Sequence, residues 1–139
     1  MTQEDKKLLF KDLSARLPYH VRVKVWLKDG TTEEGALDLE HNYADVLRDA
    51  FYYNEIVDIK PYLRPMTSMT EEEKEYIRNK YFYEDGWDSW NDLLHDYYHL
   101  INVKEIPEFM EWIYAHHFDY RNLIERKLAI EAPEDMYNN

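Results

Sequence analysis

The stretch Glu55-Ile-Val-Asp-Ile-Lys-Pro-Tyr-Leu-Arg-Pro-Met-Thr-Ser-Met-Thr-Glu-Glu-Glu73 decides how the chain is read. Ile56, Val57 and Ile59 favour a strand, and Pro61 cannot donate to a ladder, so the strand is expected to stop there. Pro61 and Pro65 bias the residues before them toward extended geometry, which makes 61–69 an extended connector. Thr70 followed by Glu71, Glu72 and Glu73 is a capping box: the Thr70 hydroxyl accepts the amide of Glu73, whose carboxylate reaches back to the amide of Thr70. Three carboxylates in a first turn also suit the positive end of a helix dipole. Within this stretch the chain changes from β to α.

Working outward, residues 1–60 read as a helix plus a small sheet. Thr2 and Asp5 supply an N-cap signal, Leu9, Phe10, Leu13 and Leu17 form a helical stripe, and Pro18 closes the helix. Tyr19, Val21, Val23, Val25 and Leu27 then alternate with His20, Arg22, Lys24, Trp26 and Lys28, the pattern of a strand with one apolar face and one basic face. Asp29-Gly30 is a hairpin signal, and further strands are expected through residues 35–39, around Val46-Leu47, and at 56–59. Residues 70–131 read as helical: one helix from Glu71 to about Phe82 with Tyr76, Ile77 and Tyr81 as its apolar contribution, one carrying Trp90, Leu93, Leu94, Tyr97, Tyr98 and Ile101, one opened by Pro107 with Phe109, Trp112, Ile113 and His116, and a last one capped by Asp119 with Leu123, Ile124 and Leu128. Residues 132–139 are expected to fray. The fold class implied is a single α+β domain: an N-terminal helix, a strongly bent antiparallel sheet with an SH3- or Sm-like barrel as one form of it, and a C-terminal bundle of about four helices.

Length and composition set the bounds. With 139 residues, 45% hydrophobic and 16% aromatic, the chain can build a core without staples. It has no cysteine, which excludes disulfides and thiolate chemistry. No apolar run approaches membrane-spanning length and the start lacks an apolar signal core, so a cytoplasmic protein with no membrane partner is expected. The net charge is −12, distributed unevenly: residues 1–65 hold ten Lys/Arg against twelve Asp/Glu, residues 66–139 seven against seventeen. Such a field attracts basic partners and repels phosphate backbones, so nucleic acid is disfavoured.

Two resemblances add to this reading. A short helix followed by Val21-Arg-Val-Lys-Val-Trp-Leu-Lys-Asp-Gly30, then Gly35-Ala-Leu37 and Val46-Leu47, resembles the first motif of Sm-like small β-barrels over residues 5–47. In that fold the second glycine bends a strand, the role implied for Gly35. The second Sm motif has no counterpart in Ile56-Val-Asp-Ile-Lys60, so the resemblance implies a bent sheet rather than RNA binding. Residues 58–73, together with His117-Phe-Asp-Tyr-Arg-Asn-Leu-Ile-Glu125 and Glu131-Ala-Pro-Glu134, are similar to segments of small uncharacterised proteins of phages and mobile elements of gut bacteria. That likeness implies an accessory or host-interaction setting and no particular chemistry.

For chemistry the candidates are few. His95-Asp-Tyr-Tyr-His99 places two histidines at i and i+4, a spacing that suits a divalent metal, with Asp96 where zinc proteases carry glutamate. Asp is a methylene shorter, and both histidines fall away from the Trp90/Leu94/Tyr97 stripe, so a weak metal-dependent hydrolase is the third reading and no metal or cofactor is expected. Three glycines cannot build a phosphate loop, and Ser14, Ser68 and Ser89 lie in no nucleophile elbow, so an enzyme is the less favoured class. The second reading is a small-barrel nucleic-acid binder using Arg22, Lys24, Trp26 and Lys28. The first is a non-enzymatic protein-binding accessory, in its sharper form a phage-type inhibitor or DNA mimic. Its acidic aromatic surface comprises Glu72, Tyr83, Glu84, Asp85, Trp87 and Asp88 and meets a protein with a basic surface.

Overall fold

The computed structural model describes residues 2–37, 56–82 and 104–137. Helix α1 (Gln3–Arg16) starts on the expected cap: the Thr2 hydroxyl accepts the Asp5 amide at 3.0 Å and the Asp5 carboxylate accepts the Thr2 amide at 3.1 Å. Pro18 sits in a 3-10 turn, Leu17–Tyr19, and His20, at φ 57°, swings the chain into β1 (Arg22–Leu27). A turn with Gly30 at φ 87° leads to β2 (Thr32–Ala36), and Asp29 braces it by accepting the Thr31 amide at 2.9 Å. A Cβ at Gly35 would meet nothing within 4 Å, so space does not demand the glycine expected to bend this strand. Strand β3 (Ile56–Leu63) pairs antiparallel with the other side of β1, and β4 (Ile130–Glu131) pairs parallel with β3, in the order β2-β1-β3-β4. The sheet is therefore mixed, not purely antiparallel.

Pro61 does not end β3. It faces Val23 across the ladder, and an antiparallel ladder alternates pairs that exchange hydrogen bonds with pairs that do not. A proline is tolerated at the latter. At the next step, where Arg22 would meet Tyr62, the Tyr137 hydroxyl is inserted instead: it accepts the Arg22 amide at 2.9 Å and donates to the Tyr62 carbonyl at 2.7 Å. Burial pushes that hydroxyl's pKa up to about 12, so it stays a donor throughout ordinary pH. The segment after 131, expected to fray, is thus tied into the sheet as far as Tyr137.

After β3, helix α2 (Glu71–Tyr81) begins on the Thr70/Glu73 capping box, with both reciprocal bonds present. Helix α3 (Ile106–Ala115) carries Pro107 in its first turn. These are the α-helices that follow the sheet among the described residues, and the expected bundle of about four is not supported. Residues 119–129, expected to be helical, form turns. Asp119 does cap them, accepting the Leu123 and Ile124 amides at 2.8 and 2.9 Å, but Asn122 and Lys127 adopt left-handed φ of 57° and 63°, which no α-helix propagates. The helix expected around Trp90–Ile101 and the strand at Val46-Leu47 lie outside the described residues. Among those described, no helix is long and apolar enough to cross a membrane.

Two cores result. Leu9 and Leu13 of α1 pack on the inward residues Val23, Val25, Ile59 and Leu63 of the sheet, closed by Leu123, Leu128 and Ala129. Met66, Met69, Ile77, Tyr81, Phe82, Phe109, Ile113 and Phe118 form the second, between α2 and α3. Charged groups connect α1 to the chain segment that closes this second core. Arg16, fully buried, donates through Nε to Asp12 at 2.7 Å and through Nη2 to the Phe118 carbonyl at 2.6 Å. Asp12 also receives Arg121 at 3.0 Å, and Arg121 in turn donates to the Tyr114 hydroxyl at 2.9 Å.

Removing one member of a buried ion pair strands the other without water, at a cost of about 3–5 kcal/mol. Arg16→Met is expected to lower the urea-derived unfolding free energy by about that amount, and Asp12→Leu combined with Arg16→Met to recover a substantial part of it. A single-variant loss under about 1 kcal/mol would show that Arg121 alone suffices to pair the buried Asp12 carboxylate.

Candidate functional site

A groove of about 360 Å³ opens where α2 and α3 meet, lined by Glu72, Glu73, Tyr76, Trp112 and His116. Helical spacing places each side chain. Glu72 and Tyr76 stand four apart on one ridge of α2, as do Trp112 and His116 at the end of α3, while Phe109 and Ile113 of α3 turn inward to the core. The rings share an orientation. Tyr76 and Trp112 lie 6.1 Å apart at 22°, Trp112 and His116 4.1 Å at 25°, and Trp112 and Phe118 5.8 Å at 20°. His116 Nδ1 donates to the Trp112 carbonyl at 2.9 Å, which fixes the imidazole against the indole.

The two carboxylates of the groove differ in their commitments. Glu73 accepts both terminal nitrogens of Arg64, at 2.6 and 2.9 Å, besides the Thr70 amide. Burial pushes its carboxyl up, but the Arg64 and Thr70 hydrogen bonds outweigh that and leave it below the usual range. The Arg64 guanidinium lies 4.2 Å over the Phe118 ring, the base of the aromatic stack. Glu72 is exposed and makes no ion pair among the described residues. Tyr76, 45% exposed, accepts a hydrogen bond from Lys80 at 2.9 Å, and this bond holds its hydroxyl below the usual phenol range.

Of the expected partner-binding residues, Glu72 lines this groove, whereas Tyr83, Glu84, Asp85, Trp87 and Asp88 lie outside the described residues. His95 and His99 do too; among the described residues no group of three or more His, Asp or Glu is placed to hold a metal. Tyr76, Trp112 and His116 were expected to serve an apolar helix face and instead line the groove at its edge. The signal that separates them is the row: Phe109 and Ile113 form the i, i+4 line that is buried, and Trp112 and His116 form the adjacent line.

The alternative basic face is altered by its neighbours. Arg22, Lys24 and Trp26 do share the outer face of β1, and Lys28 lies in the turn beyond it. Lys60 of β3, opposite Lys24, joins them, so the two ammonium groups lie 5.4 and 5.7 Å from the Trp26 ring. Carboxylates interleave: Glu34 faces Lys24 and accepts the Tyr62 hydroxyl, and Asp58 faces Trp26.

Next to the groove, His117 (φ 64°) turns its ring away from His116 and stacks on Tyr137 at 3.7 Å and 18°. Its Nδ1 is buried without a hydrogen-bond partner among the described residues. Burial first, then the positive charges of Arg16, His116, Arg64 and His20, depress its pKa from 6.5 to about 4. In the unfolded chain the imidazole takes its proton near the ordinary value, so between about 6.5 and about 4 the unfolded state binds more protons than the folded one. Stability is therefore intact above that window and is expected to fall as pH drops through it, with a slope approaching one proton. Urea unfolding at stepped pH measures this. His117→Asn, which tolerates the left-handed backbone, is expected to flatten the slope; an unchanged slope would assign it to other groups.

Comparison of the chain with protein-family models, with curated proteins and with solved structures returned no match, so the reading of the groove rests on its residues.

Proposed function

We propose that the protein is a non-enzymatic binding accessory that engages a protein with a basic surface through the α2–α3 groove. The observation that carries this reading is the pairing of partly exposed, co-oriented rings with a carboxylate, Glu72, that has no ion-pair partner among the described residues. Desolvated rings supply affinity at interfaces, and flanking charge steers encounter. Residues 66–139, with seventeen acidic against seven basic side chains, extend that field around the groove. In its sharper form the protein is an inhibitor or DNA mimic of the phage type, occupying a surface its target reserves for nucleic acid. The expected acidic aromatic stretch at Tyr83 to Asp88 follows directly on α2 in the sequence.

The second reading, nucleic-acid binding by the outer sheet face, gains Lys60 beside Trp26 as a stacking platform flanked by cations. It is disfavoured by Glu34 and Asp58 within the face and by a net charge of −12, because phosphate-driven binding needs several unopposed cations.

Glu72→Lys reverses the charge at an exposed position, where substitutions leave stability within about 0.5 kcal/mol. Capture from lysate is expected to retain a basic protein on the wild-type chain, with an association rate that falls steeply as salt rises, and to lose it on Glu72→Lys. Retention by the variant with salt-independent association would overturn the proposal. Single-stranded RNA binding near ~150 mM salt, abolished by Trp26→Ala, would favour the sheet face instead.

A further inference from the structure

We infer that the α2–α3 groove is a receptor for a single arginine side chain of its partner; this deepens the proposed function and rests on it. Three observations narrow a basic partner to this one cation.

The first is planarity. Trp112 is nearly parallel to three neighbouring rings: Tyr76, His116 and Phe118 all lie within 25° of its plane. A flat guanidinium laid against these rings continues the stack, whereas a tetrahedral ammonium meets only one face and carries a tighter water shell.

The second is that the protein already holds a guanidinium in this way at the base of the same stack. Arg64 lies 4.2 Å over Phe118 and takes both oxygens of Glu73. Planar stacking plus a forked carboxylate contact is arginine chemistry. In the groove itself the ring stack is repeated by Trp112, Tyr76 and His116, and the carboxylate by Glu72, one residue from Glu73. The guanidinium is the missing member. Lys80, the lysine beside the site, behaves differently: its ammonium lies 5.3 and 5.7 Å from the Tyr76 and Tyr81 rings and bonds a hydroxyl rather than a carboxylate.

The third is size and charge. The groove of about 360 Å³ is large enough for one long side chain, and among the described residues no lysine or arginine lines it. Arg64, paired with the groove-lining Glu73, is neutralised by it.

The test uses three short peptides of equal length, alternating glycine with arginine, with lysine or with citrulline, titrated calorimetrically into the full chain at low salt. The arginine peptide is expected to bind at least about tenfold more tightly than the lysine peptide at equal charge, and citrulline to bind far more weakly than either. Glu72→Gln is expected to weaken the arginine peptide most. Trp112→Leu is expected to erase the preference for arginine over lysine. Because Glu72 is exposed, its variant reports even if the Trp112 variant fails to fold. Equal binding of the arginine and lysine peptides would overturn the arginine assignment and leave the basic-partner reading standing. Unchanged affinity of the arginine peptide for the Glu72→Gln chain would place the receptor elsewhere and overturn the assignment. Binding of neither cationic peptide would overturn both readings.

Discussion

The fold depends on a fully buried guanidinium. Arg16 sits at the end of α1 with Asp12 one turn before it, and the pair would be costly in an apolar interior if either stood alone. What makes it tolerable is that both ends are shared. Asp12 accepts Arg121 as well, and Arg16 spends a further hydrogen on the carbonyl of Phe118, more than a hundred residues away in the chain. Hydrophobic contacts are non-directional and would let the two cores slide against each other. The ion seam is directional and assigns α1 one register against residues 114–121. Phe118 is fixed in consequence: its amide donates to the Ile113 carbonyl, its carbonyl takes Arg16, and its ring meets both the Arg64 guanidinium and the Trp112 ring. The aromatic stack of the groove is thus anchored to the charge seam beneath it.

Local chemistry was legible in the sequence wherever a rule is short-range. Both capping boxes, at Thr2/Asp5 and Thr70/Glu73, and the turn at Asp29-Gly30 form as their residues dictate. The alternating valines also bury one face of β1. What failed was long-range. Pro61 reads as a terminator, yet its position opposite Val23 needs no donor toward β1, and only the docking of Tyr137 shows how the ladder continues. The stretch after Asp119 has helical periodicity and a working cap, but Asn122 and Lys127 go left-handed, turning the chain so that Leu123 and Leu128 reach the first core and β4 reaches β3. Periodicity records that a face is apolar and does not record what the face meets.

The same limit explains the candidate site. Arg16 and Asp12 fall, at about 100° per residue, on the side of α1 that carries Leu9 and Leu13, but charged residues are by default assigned to solvent. The stripe was therefore centred too far toward Phe10, which is 40% exposed. Conversely, Tyr76, Trp112 and His116 were assigned to the core because they are large and aromatic. They lie at its rim, where the crossing of α2 and α3 leaves them half-covered, and no single-helix pattern encodes a crossing. Glu72 was named in advance only because carboxylates clustered near rings are visible in sequence as composition.

Glu72 and Glu73 show how adjacent identical residues acquire different roles. Successive positions on a helix point about 100° apart. Glu73 is turned toward Arg64, which directly follows β3, and its carboxylate joins three things at once: the Thr70 amide that starts α2, the guanidinium over Phe118, and through it the end of the sheet. That one side chain ties the start of α2 to the end of β3, while the core between α2 and α3 holds the two helices together beneath the groove. With those two charges satisfied by each other, neither contributes a strong field to the groove. Glu72, turned the other way, is left as the carboxylate at its mouth without an internal partner among the described residues. A structural ion pair placed directly beside it allows this one charge to face outward over an already rigid aromatic wall.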